Sequence, residues 1–114
     1  MPLTRDFKET INSRIQKDST FAAALFDEAI SLFLNGEPET ARLILRELIN
    51  STIGFEELAT ETSKPSKSLH RMLSAKGNPT MDNLTIILNI LRKKLDVDIK
   101  VQIASSKAVN LEIS

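Results

Sequence analysis

The stretch "FEELATETSKPSKSLHRMLSAKGNPTMDNLTIILNIL", residues 55–91, decides how this chain folds. Phe55, Leu58 and Ala59 recur at helical spacing, as do Leu69, Met72 and Leu73 at i, i+3 and i+4, and between the two groups lies the polar turn Ser63-Lys64-Pro65. The spacing predicts two short helices joined by a tight turn. Lys67, His70, Arg71 and Ser74 then fall largely away from the core stripe of the second helix, because residues three and four positions apart share a face. Gly77-Asn78-Pro79 should end that helix. Thr80 should cap a long one through "MDNLTIILNILRKKL", in which Asp82 near the start and Arg92, Lys93 and Lys94 near the end complement the helix dipole.

The same stretch carries a concentration of positive charge. Residues 60–80 hold Lys64, Lys67, Arg71 and Lys76 against one acid, Glu61, in a chain with 15 Lys/Arg and 15 Asp/Glu. Residues 1–61 carry six Lys/Arg against eleven Asp/Glu, and residues 62–114 nine against four. The overall balance is neutral but the halves are opposite in sign. Phosphate attraction depends on charge within a Debye length of about 8 Å at physiological salt, so this regional excess is the relevant quantity.

Upstream, Leu3, Phe7, Ile11 and Ile15 recur every four residues and mark a first helix. After Asp18-Ser19-Thr20, all good N-caps, "FAAALFDEAISLFLN" reads as a second helix with Phe21, Leu25, Ala29 and Leu32 on its most buried face and Gly36 as its stop. Pro38 suits the first turn of a third helix, whose core stripe is Ala41, Ile44, Leu45, Leu48 and Ile49. Downstream of residue 95 the period changes from 3.6 to 2. Val97, Ile99, Val101 and Ile103 alternate with Asp98, Lys100 and Gln102, which predicts a half-buried strand, and Val109, Leu111 and Ile113 suggest a second that returns after "ASSKA".

The expected architecture is therefore mainly α: five to six helices and a short C-terminal β-strand or hairpin in a single domain over 1–114. Its parts are acidic N-terminal helices (1–52), a helix-turn-helix core (53–95) and a strand segment (96–114). Two short helices meeting at a tight turn, with small Ala59 where they cross and polar side chains on the second, have helix-turn-helix geometry. The exposed side of the second helix would enter a major groove about 12 Å wide.

Composition removes other classes. There is no Cys and one His, which excludes disulfides, thiolate catalysis and the usual zinc clusters. Five Phe with no Trp or Tyr provide few stacking platforms for single strands. No run approaches the eighteen or so apolar residues that span a bilayer, and "MPLTRDFKET" lacks the apolar core of a signal peptide, so a cytoplasmic protein with no membrane partner is expected. His70 has no carboxylate, cysteine or second histidine among its helix neighbours, and Glu56 and Glu57 fit a first-turn dipole role, so no enzyme, metal or cofactor is expected.

The quoted stretch resembles the lambda-repressor-like (XRE) helix-turn-helix regulators. The resemblance rests on Glu57-Leu58-Ala59, the turn, Ser68-Leu69-x-Arg71, and Gly77-Asn78-Pro79-Thr80 before a leucine-rich helix. The form "SLHRMLSAKGNPT", together with "EAISLFLNGEPETARLILREL" upstream, is similar to the antidote (antitoxin) proteins of addiction modules, and the resemblance covers about residues 5 to 103. It implies a regulator that binds double-stranded DNA as a homodimer and neutralises a toxin, usually an RNA-cleaving protein. By that resemblance Ser66, Lys67 and His70 reach base edges, with Ser68 beside them, while Lys64, Arg71 and Lys76 hold phosphates. Asn78 and Thr80 serve first as turn and cap, and then present a backbone N–H to phosphate.

One departure stands out. Where the family commonly has Gly, an apolar residue and Ser, this chain has Ser63, Lys64 and Pro65, so the recognition helix is expected either to begin with Pro65 or to be capped by Ser66. The contrasting readings are a helical protein-interaction module that binds no DNA, on which the basic residues are a solvated face, and a solitary repressor with no toxin. Ile86 and Ile90 add apolar area beside the stripe Leu84, Ile87, Leu88 and Leu91, which suits a subunit contact.

Overall fold

The computed structural model describes residues 5–106, and the regular structure among them is six α-helices: α1 (Arg5–Lys17), α2 (Ser19–Leu34), α3 (Pro38–Ser51), α4 (Phe55–Thr62), α5 (Ser66–Met72) and α6 (Met81–Lys94). Local chemistry sets most of their limits. Asp18 separates α1 from α2 and caps the latter, its Oδ1 accepting from the N–H groups of Thr20 at 3.0 Å and Phe21 at 3.2 Å. Across the same corner the Arg14 guanidinium lies 4.4 Å from the centre of the Phe21 ring. Gly36, at φ 85°, releases the chain after α2, and Pro38 is the first helical residue of α3. Thr80 caps α6, its hydroxyl accepting from the Asn83 N–H at 3.1 Å.

The buried apolar side chains form one cluster running from Ile15 in α1 to Leu91 in α6. Helix α3 supplies Leu45, Leu48 and Ile49 to it with no exposed surface, and Ile44 packs at the margin; Ala41 of the same helix is also fully buried. Leu58, Leu69, Leu73 and Leu91 are fully buried in the same cluster, and α4 packs against both α5 and α6. On α2 the buried face differs from the expected one: Ala22, Phe26 and Ala29 are inside, whereas Phe21, Leu25 and Leu32 are half-buried. This helix packs against both α1 and α3, and two of its three buried residues, Ala22 and Ala29, are small. A helix apolar on most sides gives its period little power to choose a face.

Three polar residues of α3 are buried, and each reaches another part of the chain. Glu47 lies 4.0 Å from Lys8 of α1, and the Ser51 hydroxyl donates to Asn12 Oδ1, also in α1. The third, Arg42, reaches past α5.

The C-terminal segment departs from the expected strand. No strand occurs among the described residues, and the alternation 97–103 does not bury its apolar side: Ile99, Val101 and Ile103 are 39%, 62% and 89% exposed. Only Val97 and Leu95 pack on the core. A strand is defined by the partner that satisfies its N–H and C=O groups, and none pairs with this segment within the described chain. The second expected strand, Val109 to Ile113, lies outside the described residues, as do Leu3 and the side chain of Phe7. Residues 97–104 flank α2, and the two enclose an open groove of about 750 Å³ into which Phe26, Ile30 and Leu34 contribute. Among the described residues no helix is long and apolar enough to cross a membrane.

Candidate nucleic-acid interface

The basic residues singled out from the sequence sit on α5 and the turns at its two ends, so those turns determine how they are presented. Helix α4 closes with a double backbone bond: the Lys64 N–H donates to the Ala59 carbonyl at 3.2 Å and the Ser63 N–H to that of Thr60 at 3.4 Å. This wrapping needs a left-handed residue, and Ser63 supplies it at φ 56°, ψ 35°. The turn therefore holds a strained serine in an otherwise ordinary helix ending. Thr62 adds to it by donating its hydroxyl to the Leu58 carbonyl at 2.8 Å.

Pro65 follows in extended backbone, φ −62° and ψ 139°, and occupies the cap position itself. Its carbonyl accepts from the N–H groups of Ser68 at 3.0 Å and Leu69 at 3.2 Å, and Ser66 is the first helical residue. Neither expected arrangement occurs: Pro65 is not inside the helix, and Ser66 is not its cap. Proline fits because the preset φ suits the entry and its missing N–H has no intrahelical partner there.

From this start Lys67 and Arg71, four residues apart on one face, are exposed; Lys76 is exposed in the loop after the helix and Lys64 is half-buried in the turn before it. No ion pair among the described residues engages any of the four. Ser66 and Ser68 are half-buried, and Asn78 and Thr80 are exposed. His70 has a structural partner: its ring stacks on Phe55, the first residue of α4, with centroids 3.9 Å apart and planes 21° apart. One ring face is thus taken up in packing α4 on α5. The Thr80 hydroxyl is engaged as the α6 cap.

The exit from α5 is tighter than the entry. A Cβ added at Gly77 would stand 2.1 Å from the Met72 carbonyl oxygen and 2.6 Å from that of Arg71, so the loop lies directly against the end of the helix. Arg42 holds this loop from the other side. It is 9% exposed, its Nε donates to the Ser74 carbonyl at 3.0 Å, and its Nη2 donates to that of Ala75 at 2.8 Å. A planar, permanently charged fork is suited to grasping two successive carbonyls, and its charge sits where the α5 dipole is negative. Reading the sequence alone missed Arg42; the one available signal was a cation next to Ala41 in the core stripe of α3.

Among the described residues no group of three or more His, Cys, Asp or Glu is placed to hold a metal ion. The arrangement offers cationic donors on a short helix gripped at both ends. Comparison of the chain with protein-family models, with curated proteins and with solved structures finds no match in any of the three.

Proposed function

We propose that this chain is a sequence-specific DNA-binding transcriptional regulator in which α4 and α5 act as a lambda-repressor-like helix-turn-helix, with α5 as the helix that enters the major groove. The observation that carries the reading is the unpaired charge. In a chain whose acids and bases balance, Lys64, Lys67, Arg71 and Lys76 cluster at α5, and none meets an acid among the described residues. Unpaired cations on one short helix and its turns suit a row of phosphates, which sits on both sides of the groove. Ser66, Lys67 and Ser68 lie at the leading end of that helix, where base edges would be read, and His70 contributes through the ring edge that Phe55 leaves uncovered.

The fuller form of the proposal is an antidote that represses its own operon as a dimer and neutralises an RNA-cleaving toxin. It draws on the sequence resemblance and on the exposed acids Asp27, Glu28, Glu37 and Glu39 of the N-terminal half, which complement a basic partner. Co-purification with the product of an adjacent gene separates an antidote from a solitary repressor.

The DNA reading is tested with a fluorescent duplex taken from upstream of the chain's own coding sequence, titrated at several salt concentrations. K67A/R71A should weaken binding and flatten the dependence of log K on log salt by about 0.9 for each phosphate left without its cation. Unchanged affinity and slope in a folded double variant would reject this placement of the interface.

A further inference from the structure

The one long run of exposed apolar side chains among the described residues is the segment after α6, and its charges specify what covers it. Ile99, Val101 and Ile103 alternate with Asp98, Lys100 and Gln102 in strand order, yet no backbone group of residues 98–104 is hydrogen-bonded among the described residues. Such an edge is a template for another strand. We infer that residues 97–103 pair antiparallel with the same segment of a second copy of this chain, in a register that places Ile99 opposite Ile99 across a two-fold axis.

The register follows from elimination. A half-step offset would set every apolar residue opposite a polar one, so the axis must pass through a residue. Centred on Val97 the ribbon opposes Asp96 and Asp98; centred on Asp98 or on Lys100 it opposes a charge to itself. Centres at Val101 or Gln102 leave Asp98 and Lys100 without a charged partner. Centred on Ile99, Asp98 of each copy faces Lys100 of the other, twice over, while Val97 faces Val101 on the apolar side. Directly opposed unlike charges stabilise a strand pair and like charges destabilise it.

The side chains are available for this. The Asp98 carboxylate is 86% exposed despite an Arg92 guanidinium 3.7 Å away, and Lys100 is exposed. A two-stranded ribbon alone is marginal in water, but here Ile30 and Leu34 of α2 line the groove beside the segment, interspersed with Asp27, Ser31 and Asn35, and Leu34 is 64% exposed. The inference deepens the dimer part of the proposed function and rests on nothing in its DNA-binding part, because dimerisation is read without DNA.

The test uses the full-length chain in sedimentation equilibrium, with far-UV circular dichroism to establish that each variant is folded. The parent should be a dimer. D98K and K100D should each raise its dissociation constant about tenfold, since each makes two like-charge pairs per dimer. D98K/K100D should restore dimerisation to within about twofold of the parent, because the swap recreates both unlike pairs. A second readout needs no charge change. The chain has no cysteine, so I99C should link to itself under mild oxidation. V101C should not, because in this register its two copies stand about 14 Å apart, beyond the 7 Å or so between Cα atoms that a disulfide spans. A monomeric parent, a double swap no better than its single components, or V101C linking ahead of I99C would each overturn the inference.

Discussion

Replacing Arg42 with methionine tests whether the N-terminal helices hold the presented helix in place. The substitution keeps an unbranched stem of similar length and removes only the guanidinium, and with it the donors to the Ser74 and Ala75 carbonyls at 3.0 and 2.8 Å. Hydrogen bonds from a charged donor contribute about 1.5–3 kcal/mol each in mutational series. The full sum does not apply, because Ala75 is exposed and its carbonyl can find water, whereas Ser74 is half-buried. The buried cation's own desolvation cost is relieved as well. A net loss of about 2 kcal/mol is expected, lowering Tm by about 8 °C for a chain of this size. R42K should lose about half as much, since an ammonium can still meet one carbonyl but not both in fork geometry. The chain has no Trp or Tyr, so urea and thermal unfolding are followed by far-UV circular dichroism. R46M, at a half-buried arginine of the same helix, is the control and should stay within about 0.5 kcal/mol of the parent. If R42M matched R46M, the guanidinium would contribute nothing net, and the loop after α5 would be held by its own packing alone.

Two further expectations concern the turns around α5. G77A should cost about 3 kcal/mol or more, because its methyl would meet the Met72 carbonyl at 2.1 Å and backbone has to move; a midpoint in urea equal to the parent's would show that the loop yields easily. S63G should stabilise by about 0.5–1 kcal/mol, since a left-handed residue with a Cβ costs roughly 1–2 kcal/mol and glycine returns part of that as unfolded-chain entropy. A fall in Tm for S63G would mean that the serine makes a compensating interaction.

Much of the helical architecture was legible in the residues because its determinants lie within four positions of one another. Asp18 and Thr80 cap as their side chains suggest, Gly36 takes the left-handed conformation, Pro38 opens α3, and α4 covers the eight residues read as a helix from Phe55 to Thr62. The cluster of basic residues around α5 was visible in the same way, as composition over a short stretch. Its entry was not, because Pro65 caps through its backbone carbonyl, an acceptor every residue carries and no residue type announces.

What tertiary structure decided involves groups far apart in the chain, or backbone partners that the described residues do not supply. The bonds from Arg42 to Ser74 and Ala75 span 32 and 33 residues, and nothing local to either end marks them. The stack of His70 on Phe55 turns a histidine that reads as free into a packing residue, because the turn at Ser63 folds α5 back beside the start of α4. Helix α2 is apolar around most of its circumference, so its buried face was chosen by the helices packed against it and not by its own period. The alternation at 97–103 forms no strand among the described residues: side-chain order is local, but a β-strand exists only where another backbone takes up its hydrogen bonds.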